Sequence, residues 1–314
     1  MPGLERASAT HEQLTGWTVP GAGNTYPTSL LPAGGDSSAP ATRFTGVAGV
    51  ALAFSAFAIL VPSINLAVMT VAHALTGSQA PLPDFLERAQ RFETVWGLLG
   101  AHLALASLTL IAVGLLRFLH RRRPRWLWSV SPGLRWRYLL LMLLVATVVM
   151  NAVLLLAGGI PRIAPQPGAV GWLVMIALTA PLQALGEEVF FRGYLVLALG
   201  LVWRNEAFAI VVSALLFAFF HGTQNLPLFA QRFAFGVLAG VLVWRTGGLE
   251  AGIAAHVANN VWAFTWAVLT SSVAEVRAVQ ELTWVSSLRE VGAFALVTVV
   301  GLVVARWMRV PNRV

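Results

Sequence analysis

The strongest constraint on this chain is the stretch Gly186-Glu187-Glu188-Val189-Phe190-Phe191-Arg192-Gly193, two adjacent carboxylates inside a long apolar run. Val174-Met175-Ile176-Ala177-Leu178 precedes it and Tyr194-Leu195-Val196-Leu197 follows. One acid at the centre of a membrane-spanning helix already costs about 2.5–3.5 kcal/mol. Of the 13 acidic residues, only these two sit deep in such a run. Glu188 and Arg192 are four apart and share a helical face, so they can neutralise each other. Glu187 lies about 100° round the helix from Glu188 and has no local cation. Its partner must come from another helix.

Composition supports a membrane setting. Of the 314 residues, 57% are hydrophobic and 11% charged, against about 25% charged in soluble domains. Mean hydropathy is +0.74. The formal net charge of +8 is carried by arginine, with no lysine. That bias points to a GC-rich, bacterial genome. There is no cysteine, which excludes disulfides, thiolate zinc sites and a cysteine nucleophile.

The expected fold is all-α: about eight transmembrane helices around a buried polar cavity. Residues 1–42, rich in Gly, Pro, Ser, Thr and Ala, read as a flexible polar tail without a cleaved signal. Spans are expected at 46–75 (kinked at Pro62), 95–118, 138–158, 169–203, 206–221, 227–244, 250–270 and 291–308. The domain order is then the tail, three accessory spans (43–168), a core (169–270), and an outer loop with the last span and a basic tail (271–314). Arg117, His120, Arg121, Arg122, Arg123, Arg125, Arg135 and Arg137 alternate with Trp126, Trp128 and Trp136. That mixture marks a cytoplasmic membrane interface rather than a nucleic-acid surface. Placing 117–137 in the cytoplasm puts both termini there too, with Arg204, Arg245, Arg306, Arg309 and Arg313. The protein is expected in the plasma membrane, with lipid and a membrane-tethered substrate as partners and no nucleic acid.

Three apolar stretches carry polar residues that lipid would not tolerate. Phe217 and His221 share a face of the fifth span, and His256 and Asn260 a face of the seventh. Pointing all of them inward, with Glu187, is the simplest arrangement. A carboxylate near an imidazole is a general acid–base unit: Glu187 can deprotonate a water that His221 positions. His256 and Asn260 can donate to a developing oxyanion. Glu187, His221 and His256 also make a one-carboxylate, two-histidine set suited to zinc, so a metal cofactor stays open.

In order along the chain, Glu-Glu-x-x-x-Arg (Glu187, Glu188, Arg192), Phe-x-x-x-His (Phe217, His221) and His-x-x-x-Asn (His256, Asn260) resemble the three signatures of the CPBP intramembrane proteases. That family includes the CAAX prenyl endopeptidases of the Ras-converting type and Abi-like bacteriocin-processing or immunity proteins. The likeness covers roughly 170–270. It implies an intramembrane endopeptidase with Glu187 activating water, His221 assisting, His256 and Asn260 forming the oxyanion site, and Glu188–Arg192 as a supporting pair. It also implies access from the cytoplasmic side, and either a glutamate or a metal mechanism. The competing readings are a non-catalytic immunity or scaffold protein and a proton-coupled transporter; the latter lacks the inverted repeat such carriers show. His73 and His102 lack matching partners, Gly236-x-x-x-Gly240 is a close-packing signal, and Gln231 and Arg232 read as interfacial, with a substrate carboxylate as the alternative partner for Arg232.

Overall fold

The computed structural model describes residues 17–31 and 39–314. Among them the chain is helical, with only two isolated bridges, Thr25 to Arg313 and Ser129 to Gly248. The helices are α1 (Pro40–Thr76), α2 (Leu82–Gln90), α3 (Val95–Ala106), α4 (Leu108–Phe118), α5 (Trp136–Gly158) and α6 (Ala169–Glu187). A π-helical segment, Glu188–Leu195, carries α6 into α7 (Val196–Val202). Then follow α8 (Glu206–Phe219), α9 (Leu226–Thr246), α10 (Glu250–Thr270), α11 (Val273–Ala278) and α12 (Trp284–Trp307).

Every expected span is helical, but among the described residues only six stretches are both long and apolar enough to cross a bilayer. Helix α8 has 14 residues, too few to cross alone. Helix α10 has 21, but His256, Asn259 and Asn260 lower its hydropathy. The two that fall short are those associated with the second and third polar motifs. Helix α1 continues through Pro62, and the 95–118 span is divided at Ser107, whose hydroxyl turns back to the Ala104 carbonyl at 2.6 Å. Helix α12 starts seven residues earlier than the apolar run suggests. The Thr283 hydroxyl caps it by accepting from the Ser286 amide, so Arg289 and Glu290 are helical.

Lipid is as apolar as leucine, so close packing rather than hydrophobic burial holds such helices together. The Gly236/Gly240 face does this for α9: a Cβ on Gly240 would meet Ile210 Cγ2 at 2.5 Å, and one on Gly236 would meet Ala214. The continuous helix from 169 to 202 is about 50 Å long at 1.5 Å per residue. Its second half is enclosed on all sides, and Phe190, Phe191, Tyr194 and Leu195 form the middle of the largest core cluster.

The two ends of the bundle differ. At one end the 120–135 loop, the start of α10, both described chain termini and Glu206 interlock. Arg135 donates to Glu250 (Nε to Oε1, 2.9 Å) and to the Thr246 carbonyl (2.8 Å). The Val130 amide donates to Gly247 and the Leu249 amide to Trp128. Residues 17–31 belong here, which corrects the expectation of a wholly flexible tail. Tyr26 is fully buried and its hydroxyl donates to the Leu127 carbonyl. Arg122 donates to the carbonyls of Ser29 and Leu30, and the Val314 amide to Asn24. Buried backbone groups and one arginine order a segment whose composition alone suggested none. Residues 40–42 of the expected tail already belong to α1, and residues 1–16 and 32–38 lie outside the described residues. At the other end lie the 77–94, 159–168, 220–225 and 271–283 connections, joined by bonds such as the Asn225 amide to Gln280.

Candidate functional site

Glu187 closes α6, and Glu188 opens the π segment. A π turn inside an α-helix is rare and frequently sits at a functional site. The two acids straddle a single ring. His256 Nδ1 lies 2.8 Å from Glu188 Oε1, and His256 Nε2 lies 3.4 Å from Glu187 Oε2. All three side chains are buried. Glu188 Oε1 also faces Arg192 Nη1 at 3.2 Å, the expected pair one turn apart. The Arg192 guanidinium lies between two rings, 3.9 Å from the Phe217 centroid and 4.9 Å from Phe235. The aromatic residue of the second motif therefore supports the arginine of the first, a desolvated cation–π contact.

Glu187 finds the interhelical partner it required, but Glu188 is more than half of a local ion pair, because it also anchors His256. Sequence spacing hides this: i,i+4 logic accounts for Glu188 and stops there. The Glu188 Oε2 atom points at Gly252, where an added Cβ would sit 3.0 Å away.

Asn260 Nδ2 donates to Gln183 Oε1 at 2.7 Å, and Asn259 Nδ2 to Asn260 Oδ1 at 3.0 Å. Gln183 was not singled out from the sequence, although it lies four residues before Glu187 on the same face of an apolar run. His221 stands apart. Its Nδ1 lies 2.7 Å from the Phe217 carbonyl, its ring packs edge-on against Phe217, and no hydrogen bond or ion pair among the described residues joins it to Glu187 or His256. A carbonyl only accepts, so Nδ1 carries the proton and Nε2 keeps its lone pair.

Glu187, His221, His256, Asn260 and Gln183 nevertheless line one cavity of about 1040 Å³, at the top of the range of about 300–1,000 Å³ usual for ligand sites. Among the described residues no three of His, Asp and Glu converge closely enough to hold a metal ion. Both nitrogens of His256 are taken by carboxylates, so as placed the donor set does not fit zinc. His102 bonds Thr179 (2.7 Å) and His73 the Ala80 carbonyl (2.9 Å), both outside the cluster. Arg232 reaches the cavity and donates to Gln224 at 2.7 Å.

Fold and site define a class: a multi-pass helical membrane protein with an acid–imidazole cluster buried at the head of a cavity. Residues 169–262 match the family model described as type II CAAX prenyl endopeptidase Rce1-like, so the likeness read from the three motifs is borne out over that segment. The chain is also similar to the "Uncharacterized protein YyaK" of Bacillus subtilis (strain 168), at 33% identity over 98 residues. That alignment covers 29% of this chain and 33% of the relative, so the chain spans about a third of the curated relative it matches. No solved structure matches the chain.

Proposed function

We propose that the protein is an intramembrane endopeptidase that hydrolyses a peptide bond of a membrane-associated protein or peptide. The observation that carries this reading is the single imidazole held between two buried carboxylates at the head of a cavity of peptide size. Two carboxylates and one guanidinium leave the cluster one negative charge in excess, which burial disfavours. One proton shared between Glu187 and His256 restores neutrality.

On this reading a water is held between Glu187 and the free Nε2 of His221. Its proton passes to that basic pair as its oxygen adds to the scissile carbonyl carbon. The oxyanion receives a donor from His256 Nε2, released from Glu187 as that carboxylate takes up the proton, and one from Asn260, whose amide turns from Gln183 to reach it. The C–N bond then breaks, and the proton goes to the departing amine. Glu188 and Arg192 position the ring. No step passes through a metal, and the protein works in a cell membrane with both termini in the cytoplasm.

The test is Glu187→Gln. It should lower cleavage of a membrane-tethered reporter by about 10²–10⁴-fold, the usual worth of a general base, with folded yield unchanged. Full activity in that variant overturns the proposal and favours a non-catalytic scaffold or immunity role.

A further inference from the structure

The cavity is one-sided. Its lining takes Asn65 from α1, His102 from α3, Gln183 from α6, Arg232 from α9, Trp266 from α10 and Arg277 from α11. It includes no residue of the 117–137 loop, of 196–208, of 236–255 or of the C-terminal tail. A second, smaller cavity adjoins it at His221, Gly222, Thr223, Arg277 and Gln280. All of these belong to the end of the bundle that carries the 220–225 and 271–283 connections.

The other end is shut. Arg192 and its two rings floor the site, the Arg135–Glu250 pair lies beyond them, and the 17–31 segment and the C-terminal residues pack outside. His256 stands only about 9 Å along α10 from that shut end, at 1.5 Å per residue, yet it lines the cavity.

Charge divides along the same line. The shut end holds the arginines of the 117–137 loop, Arg204, Arg245 and the tail arginines, against Glu206 and Glu250. The mouth end is mixed: Arg88 and Arg91 with Glu87 and Glu93, then Arg277 and Arg289 with Glu275 and Glu281. Arginine excess marks the cytoplasmic face.

We propose that the site is reached from the non-cytoplasmic face of the membrane. Its substrate is then a membrane-anchored chain whose cleavable stretch lies outside the cytoplasm, not one presented at the cytoplasmic surface. This reverses the direction of access that the family likeness implies, and it rests on the endopeptidase reading for the word substrate.

The chain's lack of cysteine gives a direct test. Thr223→Cys and Ala263→Cys report the mouth and the cavity wall, and Asn312→Cys reports the shut end; none is part of the catalytic set. In intact cells a membrane-impermeant thiol reagent should label the first two and should reach Asn312→Cys only after permeabilisation. Labelling with the sides exchanged, or of both ends from one side, overturns the proposal, as does failure of both mouth positions to react from outside. Two tethered reporters separate this outcome from the endopeptidase reading. Cleavage only of the reporter with its cleavable stretch outside supports both readings. Cleavage only of the cytoplasmic reporter keeps the protease and discards the access route. Correct labelling with no Glu187-dependent cleavage of either reporter discards the protease and keeps the route.

Discussion

Glu188→Gln isolates the charge that the buried cluster depends on. Glutamine keeps an oxygen able to accept from His256 Nδ1 but leaves Arg192 without its counter-ion. The two side chains are 0% and 1% exposed and 3.2 Å apart. At an effective dielectric of about 20 the pair is worth about 5 kcal/mol, and buried pairs broken from one side lose roughly 3–5 kcal/mol. The faces of Phe217 and Phe235 hold the cation in parent and variant alike, so they do not enter the difference. The expected loss is therefore about 3–5 kcal/mol, roughly a hundred- to a few-thousandfold in the ratio of folded to unfolded protein. Denaturant titration in micelles, with folded yield from size-exclusion chromatography, measures it. Adding Arg192→Met to Glu188→Gln removes the orphan cation and fills the gap between the rings, so it should recover most of the loss. Stability of Glu188→Gln within about 0.5 kcal/mol of the parent, or a double variant no better than the single one, refutes the reasoning.

Gly252→Ala should lower cleavage about tenfold at unchanged folded yield, because its Cβ would sit 3.0 Å from Glu188 Oε2 and shift the carboxylate that holds His256; full activity rules this out. Chelator titration should leave activity intact, since no three donors converge on an ion among the described residues; loss that added zinc reverses restores the metal reading. His120, beyond the end of α4, is lowered from 6.5 to about 4 by burial, with the Arg122 charge adding to it. The unfolded chain takes up that proton first, so this contribution to stability is whole above pH 6.5 and declines as pH falls from 6.5 toward 4. His120→Gln should flatten the slope of the unfolding midpoint between pH 7 and 5.

The helical frame was legible because apolar runs long enough to cross a bilayer admit few other structures. The three polar motifs were legible because lipid gives such groups no partner. Tertiary choices were not. An imidazole has two nitrogens on separate edges, so one His256 serves two consecutive acids, although helical geometry points those acids about 100° apart. The π turn, the Gln183–Asn260 bond and the Phe235 face over Arg192 arise only when α6, α9 and α10 meet. The ordering of Tyr26 to Leu31 depends on Arg122 and Leu127, about a hundred residues away.

A ring wedged between adjoining acids has a kinetic corollary. Protons there are common property: when sites interact this closely, the limbs of a rate–pH curve describe the ensemble and no single residue. Altering one acid should displace both limbs together.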